Sequence, residues 1–147
     1  MKDKFNLKKI DLVILAGGRG SRIKEFLGNF PKPMLKFNNK HFMQYVLNNQ
    51  CKYNFKRVII LCGYRHNVLF KKFHNKQINF TKIICVKEKK LLGTGGALIN
   101  LKKLKVNNFV LINGDTIFDI DIRSLISSLR KGKIGIVALT KNKKQVF

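Results

Sequence analysis

The chain has 147 residues, 45% of them apolar, which suits one domain with a real core and excludes wholesale disorder. None of its apolar runs approaches the about 20 residues a spanning helix needs, so no membrane span is expected, and the charged start with its short apolar run does not make a signal peptide. Lys and Arg number 31 against seven Asp and Glu, a formal charge of +24. The lysines are spread from end to end, and Lys, Asn, Ile and Phe are residues an AT-rich coding sequence over-supplies, so base composition competes with an anionic partner as the explanation.

In chain order, a basic extension at 1–10 leads into an apolar, β-branched run at 11–16, the first predicted strand. A glycine-rich stretch and a short helix-like segment ending near Gly28 follow. Phe42, Tyr45, Val46 and Asn49 then fall on one helical stripe. A second strand is predicted at 57–62, followed by the stripe Val68, Leu69 and Phe73. A third strand at 82–86 precedes the stripe Ala97, Leu98, Leu101 and Leu104. A fourth at 109–113 precedes Ile122, Leu125, Ile126 and Leu129, and a fifth is predicted at 134–140, before a basic tail at 141–147. Near-continuous apolar runs indicate strands covered on both faces. Strands alternating with helices indicate an α/β fold, a Rossmann-like three-layer sandwich with a mostly parallel sheet, right-handed crossovers and a single domain over 1–147. Cys51, Cys62 and Cys85 lack C-x-x-C spacing and read as reduced thiols; His41, His66 and His74 are not spaced as ligands.

Ligands of such sheets bind beyond the carboxyl ends of the strands. The residues just past each run are the informative ones: Gly17-Gly18-Arg19-Gly20-Ser21-Arg22, then Gly63-Tyr64-Arg65, then Glu88 and Leu92-Gly93-Thr94-Gly95-Gly96, then Gly114-Asp115. Glycines let backbone N–H groups approach a phosphate, a helix start adds positive potential, and Arg22 adds a planar bidentate donor. A tight strand-to-helix turn is the plain alternative. Ile23 stands where a dinucleotide fingerprint needs glycine, and no Gly-Lys-Ser/Thr occurs for a Walker A loop. Pro31-Lys32-Pro33 stiffens a loop around a single lysine, as a cation held against a phosphate requires; an ordinary surface lysine is the alternative. Asp115, Asp119 and Asp121 crowd one short stretch, and the latter two suit capping of the helix that follows.

Leu15-Ala16-Gly17-Gly18-x-Gly20-Ser21-Arg22 followed by Pro31-Lys32-Pro33 resembles the signature of the sugar-1-phosphate nucleotidyltransferases, L-A-G-G-x-G-S/T-R-L followed by P-K-P. Ile23 replaces the last leucine. Leu92-Gly93-Thr94-Gly95-Gly96-Ala97 and Asn113-Gly114-Asp115 agree in order, and the resemblance runs from Leu12 to about Thr140. The last two blocks most resemble the subgroup that activates heptose or mannose 1-phosphate with GTP.

The resemblance implies a cytoplasmic enzyme that transfers a nucleotidyl group from an NTP, GTP favoured, to a sugar 1-phosphate, releasing pyrophosphate, for lipopolysaccharide or capsule precursors. It implies that Leu15 belongs to the nucleotide site, that backbone groups at Ala16 and Gly17 face the base, that Gly18, Gly20 and Ser21 cradle the triphosphate, and that Glu88 and Gly93 lie near base and ribose. Arg22 would hold the leaving pyrophosphate, Lys32 would neutralise charge at the α-phosphate, and Asp115 would bind Mg²⁺. Tyr64 and Arg65 would line the sugar side or lie in a solvated loop. Family chains run further and supply a second metal aspartate, whereas no acidic residue follows Asp121 here. A truncated gene product, a frameshifted copy or a half that needs a complementing C-terminal half is therefore expected, with a homo-oligomer as the other partner and a non-catalytic nucleotide-binding module or inactive remnant as the alternative. A nucleic-acid-binding protein, suggested only by the charge, lacks a reading helix, zinc site or aromatic RNA motif.

Overall fold

A computed structural model of the chain describes residues 6–88 and 93–139, apart from the side chains of Arg22 and Lys24. The first half of the N-terminal extension, Leu92, Thr140 and the basic tail at 141–147 lie outside those residues. Leu7–Ile117 form one compact unit; the chain's two ends, Met1–Asn6 with Phe118–Phe147, are grouped as a second.

The larger unit is organised around β1 (Asp11–Ala16), aliphatic after its first residue and buried on both faces. A 3-10 turn (Ser21–Ile23) and the one-turn helix α1 (Lys24–Leu27) follow, ended by Gly28 at a φ of 52°. A 3-10 turn at Lys32–Met34 leads to a small antiparallel ribbon, β2 (Lys36–Phe37) and β3 (Lys40–His41), turned through Asn38 and Asn39, both with positive φ. Asparagine tolerates that region, and two such residues in a two-residue loop make the turn whose twist matches a hairpin. Then come α2 (Phe42–Cys51), β4 (Arg57–Cys62), α3 (His66–Phe73), β5 (Gln77–Ile78), β6 (Thr81–Lys87), α4 (Gly93–Ala97) with a 3-10 continuation at Leu98–Leu104, and β7 (Phe109–Asn113).

The sheet order is β5-β6-β4-β1-β7, with β6, β4, β1 and β7 parallel and only the short β5 antiparallel at the edge. The mostly parallel α/β expectation therefore holds. Register places Val13, Ile59 and Leu61 on one face, where Ala97 and Leu101 close a buried cluster. Leu12, Ile14, Ile60 and Ile83 are buried on the other, as are Met43, Val46 and Leu47 of α2 and Leu69 and Phe73 of α3, which packs on β6. All three cysteines are free and buried, and burial pushes the Cys51 thiol up to about 11, so they act as core fillers.

The fifth predicted strand does not form over its described part, 134–139, where the chain is irregular and Ile134, Val137 and Leu139 are exposed. A strand exists only where a partner completes its ladder, and apolar content carries no information about that partner. The helical stripe from Ala97 to Leu104 forms mainly a 3-10 segment. In the second unit, α5 (Ile122–Ser127) is capped by Asp121, whose Oδ1 accepts from the Arg123 N–H at 3.0 Å.

At the amino end of the sheet Asp11 is buried, and Arg57 Nε donates to its Oδ1 at 2.7 Å while Arg57 Nη2 donates to its Oδ2 at 3.3 Å and to the Leu104 carbonyl at 2.8 Å. This fork ties β1, β4 and the segment covering the sheet. Arg57→Met leaves a buried carboxylate without its counter-charge. We expect it to lower stability by about 3 to 5 kcal/mol in guanidinium unfolding, and Arg57→Met/Asp11→Leu to recover most of that loss.

Candidate active site

Strand order reverses at β1: the chain steps from β1 to β4 and β6 on one side, then returns to β7 on the other. In open parallel sheets that reversal leaves a crevice at the carboxyl ends. Three hydrogen bonds draw the tips together. The Gly114 N–H donates to the Leu15 carbonyl at 2.8 Å, the Tyr64 N–H to the Gly17 carbonyl at 3.1 Å, and the Glu88 N–H to the Cys62 carbonyl at 2.9 Å. A side chain at Gly114 would meet the Leu15 carbonyl at 2.9 Å and Met43 Cε at 3.1 Å, so only glycine permits this approach of β7 to β1.

The crevice is a cleft of about 410 Å³. Leu15, Gly17 and Gly18 form one wall, Glu88, Gly93 and Ala97 another, and Asn113 and Asp115 the side nearest β7. Of the residues expected here, Leu15, Gly17, Gly18, Glu88, Gly93 and Asp115 line the cleft. Ala16 is buried in β1 beneath it. Gly20, Ser21 and Lys32 are not among the lining residues, and Lys32 meets the cleft only through its contact with Asp115. Gly20, at a φ of 65°, turns the chain, and a β-carbon on it would lie 2.6 Å from Leu27 Cδ1 and 3.3 Å from Lys32 Cβ. The glycine turn thus packs on the stem of Lys32. Ser21 starts a single 3-10 turn, so α1 is too short for a substantial dipole. Arg22 sits in that turn, and its side chain is outside the described set.

Lys32 is carried on a rigid support. Pro31, Pro33 and Met34 are buried, and His41 Nδ1 lies 2.8 Å from the Met34 carbonyl oxygen. From there Lys32 Nζ reaches Asp115 Oδ2 at 2.7 Å, with the two side chains 41% and 38% exposed. Thr116 Oγ1 donates to the other carboxylate oxygen of Asp115 at 3.2 Å. The Lys32 ammonium, aided by Thr116, holds the Asp115 carboxyl below the usual carboxylate range, against the upward pull of partial burial.

Glu88 faces the glycine wall. Its carboxylate occupies the space that a β-carbon on Gly17 would need. It is 8% exposed, and burial raises its pKa above the ordinary 4.5. Arg19, Thr94 and Asn113 also line the cleft; each stands in a stretch quoted from the sequence but was given no role there. Arg19 occupies the variable position of the glycine motif, where a cation among glycines was the available signal. Arg65 has a φ of 48°, donates to Tyr64 Oη and Asn29 Oδ1 at 3.0 Å each, and lies over the Tyr64 ring. Asp119 belongs to the second unit.

No group of three His, Cys, Asp or Glu side chains that could hold a metal occurs among the described residues. The cleft offers the single exposed carboxylate of Asp115 beside a hydroxyl. That donor set fits an ion such as Mg²⁺, which takes one or two carboxylates and completes its shell with water and substrate phosphate oxygens.

A carboxyl whose folded pKa is raised costs nothing at pH values where it is protonated in both states, and its cost grows as pH rises from its unfolded pKa through its folded one. Glu88→Gln is therefore expected to raise the melting temperature at pH 7, with the gain vanishing below about pH 4. Melts across pH check this; a gain that persists in acid would rule out desolvation as its source.

The nucleotidyl transferase family profile matches residues 12–145. The chain is 37% identical over 122 residues to the D-glycero-alpha-D-manno-heptose 1-phosphate guanylyltransferase of Campylobacter jejuni, covering 83% of this chain and 54% of that protein. It is 34% identical to the enzyme of the same name from Aneurinibacillus thermoaerophilus, over 79% of this chain and 50% of that one. The crystal structure of HddC from Yersinia pseudotuberculosis complexed with GMP-PN superposes with a TM-score of 0.71 at 32% identity, covering 81% of this chain and 53% of the other. The chain thus spans about half the length of these relatives. With the glycine wall and the aspartate at the β7 tip lining one cleft, and the proline-braced lysine paired to that aspartate, the match over nearly the whole sequence establishes that this chain belongs to the nucleotidyl transferase family.

Proposed function

We propose that the chain carries the nucleotide-binding half of a cytoplasmic sugar-1-phosphate guanylyltransferase. It would transfer a guanylyl group from GTP to a heptose or mannose 1-phosphate and release pyrophosphate, supplying an activated sugar for lipopolysaccharide or capsule. The observation that carries this reading is the meeting of Lys32 and Asp115, 83 positions apart, at 2.7 Å beside the glycine wall. The names of the relatives from C. jejuni and A. thermoaerophilus support the nucleotide and the sugar class.

The base would lie against the Leu15–Gly17 wall, edge-on to the Glu88 carboxylate that abuts Gly17. A carboxylate is an acceptor-only group with two oxygens. Guanine alone among the common bases offers two adjacent donors, N1–H and the 2-amino group, to such a pair. Burial of Glu88 strengthens those bonds and penalises a base that leaves the charge unpaired. Gly17 permits this because any side chain there would displace the carboxylate. Backbone N–H groups of Gly18 and Gly20 with Ser21, and the guanidinium groups of Arg19 and Arg22, would hold the phosphates. Gly93 would face the ribose.

The sugar phosphate oxygen attacks the α-phosphorus in line; the new O–P bond forms as the bond to the β-phosphate oxygen breaks, and pyrophosphate carries away the electron pair. Lys32 neutralises charge accumulating on the α-phosphate, and Arg22 stabilises the departing pyrophosphate. Asp115 would hold Mg²⁺, which supplies further neutralisation of phosphate charge when bound.

A second reading, a module that binds nucleotide without turnover, rests on Asp115 being the one exposed carboxylate among the cleft's described lining residues. Purified chain with GTP, Mg²⁺ and heptose or mannose 1-phosphate separates the two. Pyrophosphate release that falls about 10²- to 10³-fold in Lys32→Ala supports the enzyme; GTP binding without release supports the module. Glu88→Gln is expected to erode the preference for GTP over ATP in either case, and an unchanged preference would remove Glu88 from base selection.

A further inference from the structure

Lys32 and Asp115 enter the proposed reaction with different partners, one a phosphate and the other a cation, yet in the free chain each is the other's partner. The pair is about two-fifths exposed at both ends, so it is an exchangeable contact of small intrinsic worth rather than a strut. Its position is nonetheless built. Lys32 is fixed by buried prolines on both sides and by the turn at Gly20, and Asp115 follows a glycine pinned to the β1 backbone.

We propose that the Lys32–Asp115 ion pair is a latch that couples the two ligands of the cleft, so that nucleoside triphosphate and divalent cation bind together far better than either binds alone. The inference rests on the guanylyltransferase reading. A triphosphate arriving alone draws Lys32 away and leaves the Asp115 carboxylate facing a polyanion. A cation arriving alone takes Asp115 and leaves the Lys32 ammonium facing a dication. When both arrive, the two protein charges exchange each other for ligands of opposite sign, and no charge is stranded. Coupling of this kind is reciprocal: the factor by which the cation strengthens nucleotide binding equals the factor by which the nucleotide strengthens cation binding. Of the charged groups that line the cleft besides Asp115, Arg19 makes no ion pair among the described residues and Glu88 sits against Gly17, so neither substitutes for the latch partners.

Calorimetric titration of the chain tests this with binding as the readout. Wild type should bind GTP in EDTA at least about tenfold more weakly than GTP with Mg²⁺. Asp115→Asn should bind GTP in EDTA about tenfold more tightly than wild type and gain nothing from Mg²⁺. Lys32→Gln, titrated with Mn²⁺ and no nucleotide, should bind the ion several-fold more tightly than wild type, and this arm decides the matter if Asp115→Asn does not fold. Wild type that binds GTP with Mg²⁺ while both variants leave the single-ligand affinities unchanged would overturn the latch and leave the cleft's assignment standing. Wild type that binds no GTP under either condition would overturn the assignment itself.

Discussion

The parallel ladder that holds β1 between β4 and β7 is the constraint on which the site depends. Pairing Val13 with Ile59 on one side and Leu111 on the other sets the level at which three strands end. Because every strand in that ladder points the same way, the three following loops emerge at one edge. The Gly114 N–H on the Leu15 carbonyl then closes the gap between the glycine-rich loop after β1 and the aspartate after β7. Glycine at 114 is what the geometry demands, since the Leu15 carbonyl and Met43 fill the space a side chain would occupy.

Electrostatics separate two uses of acidic residues in a chain short of them. Asp11 is buried and forked by Arg57, so its charge is spent on joining strands to the segment that covers them. Asp121 caps a helix. Asp115 and Glu88 are placed differently, at the strand tips. One is paired across an open contact that water can reach; the other is desolvated against a glycine with no matching cation among the described residues. Such unequal environments push two carboxyls in opposite directions, Asp115 down and Glu88 up, a pattern that accompanies sites more than scaffolds. The surrounding excess of lysines raises the local attraction for any polyanion and so favours a phosphate ligand without selecting one.

Periodicity and turn chemistry carried the reading a long way. The strands at 11–16, 57–62 and 109–113 form with the expected bounds, and the strand expected at 82–86 is one residue longer at each end. Those runs are legible because residues buried on both faces must be apolar throughout. The ribbon at Asn38-Asn39 was missed although two consecutive asparagines are a turn signal, because its strands are two residues each and show no alternation. The run expected at 134–140 forms no strand over its described part, 134–139, for the opposite reason: its composition is that of a strand, but no ladder partner is recorded in composition. Arg19 was passed over because a motif's variable position draws no attention, and Thr94 because a glycine-rich loop hides its one side chain among backbone.

What the sequence by itself determined was the alphabet of the site: which residue types follow which strand, and that glycines, a braced lysine and an aspartate would face a common edge if the sheet were parallel. Those are local properties, set by side-chain volume, backbone freedom and the burial of short apolar runs. Only the tertiary structure decided who touches whom. That Lys32 pairs with Asp115, that Glu88 fills the space Gly17 leaves, and that Arg57 reaches both Asp11 and Leu104 are contacts between residues tens of positions apart. Their distances follow from sheet register and strand order, which local patterning does not encode because ladder pairing is a property of two segments and never of one.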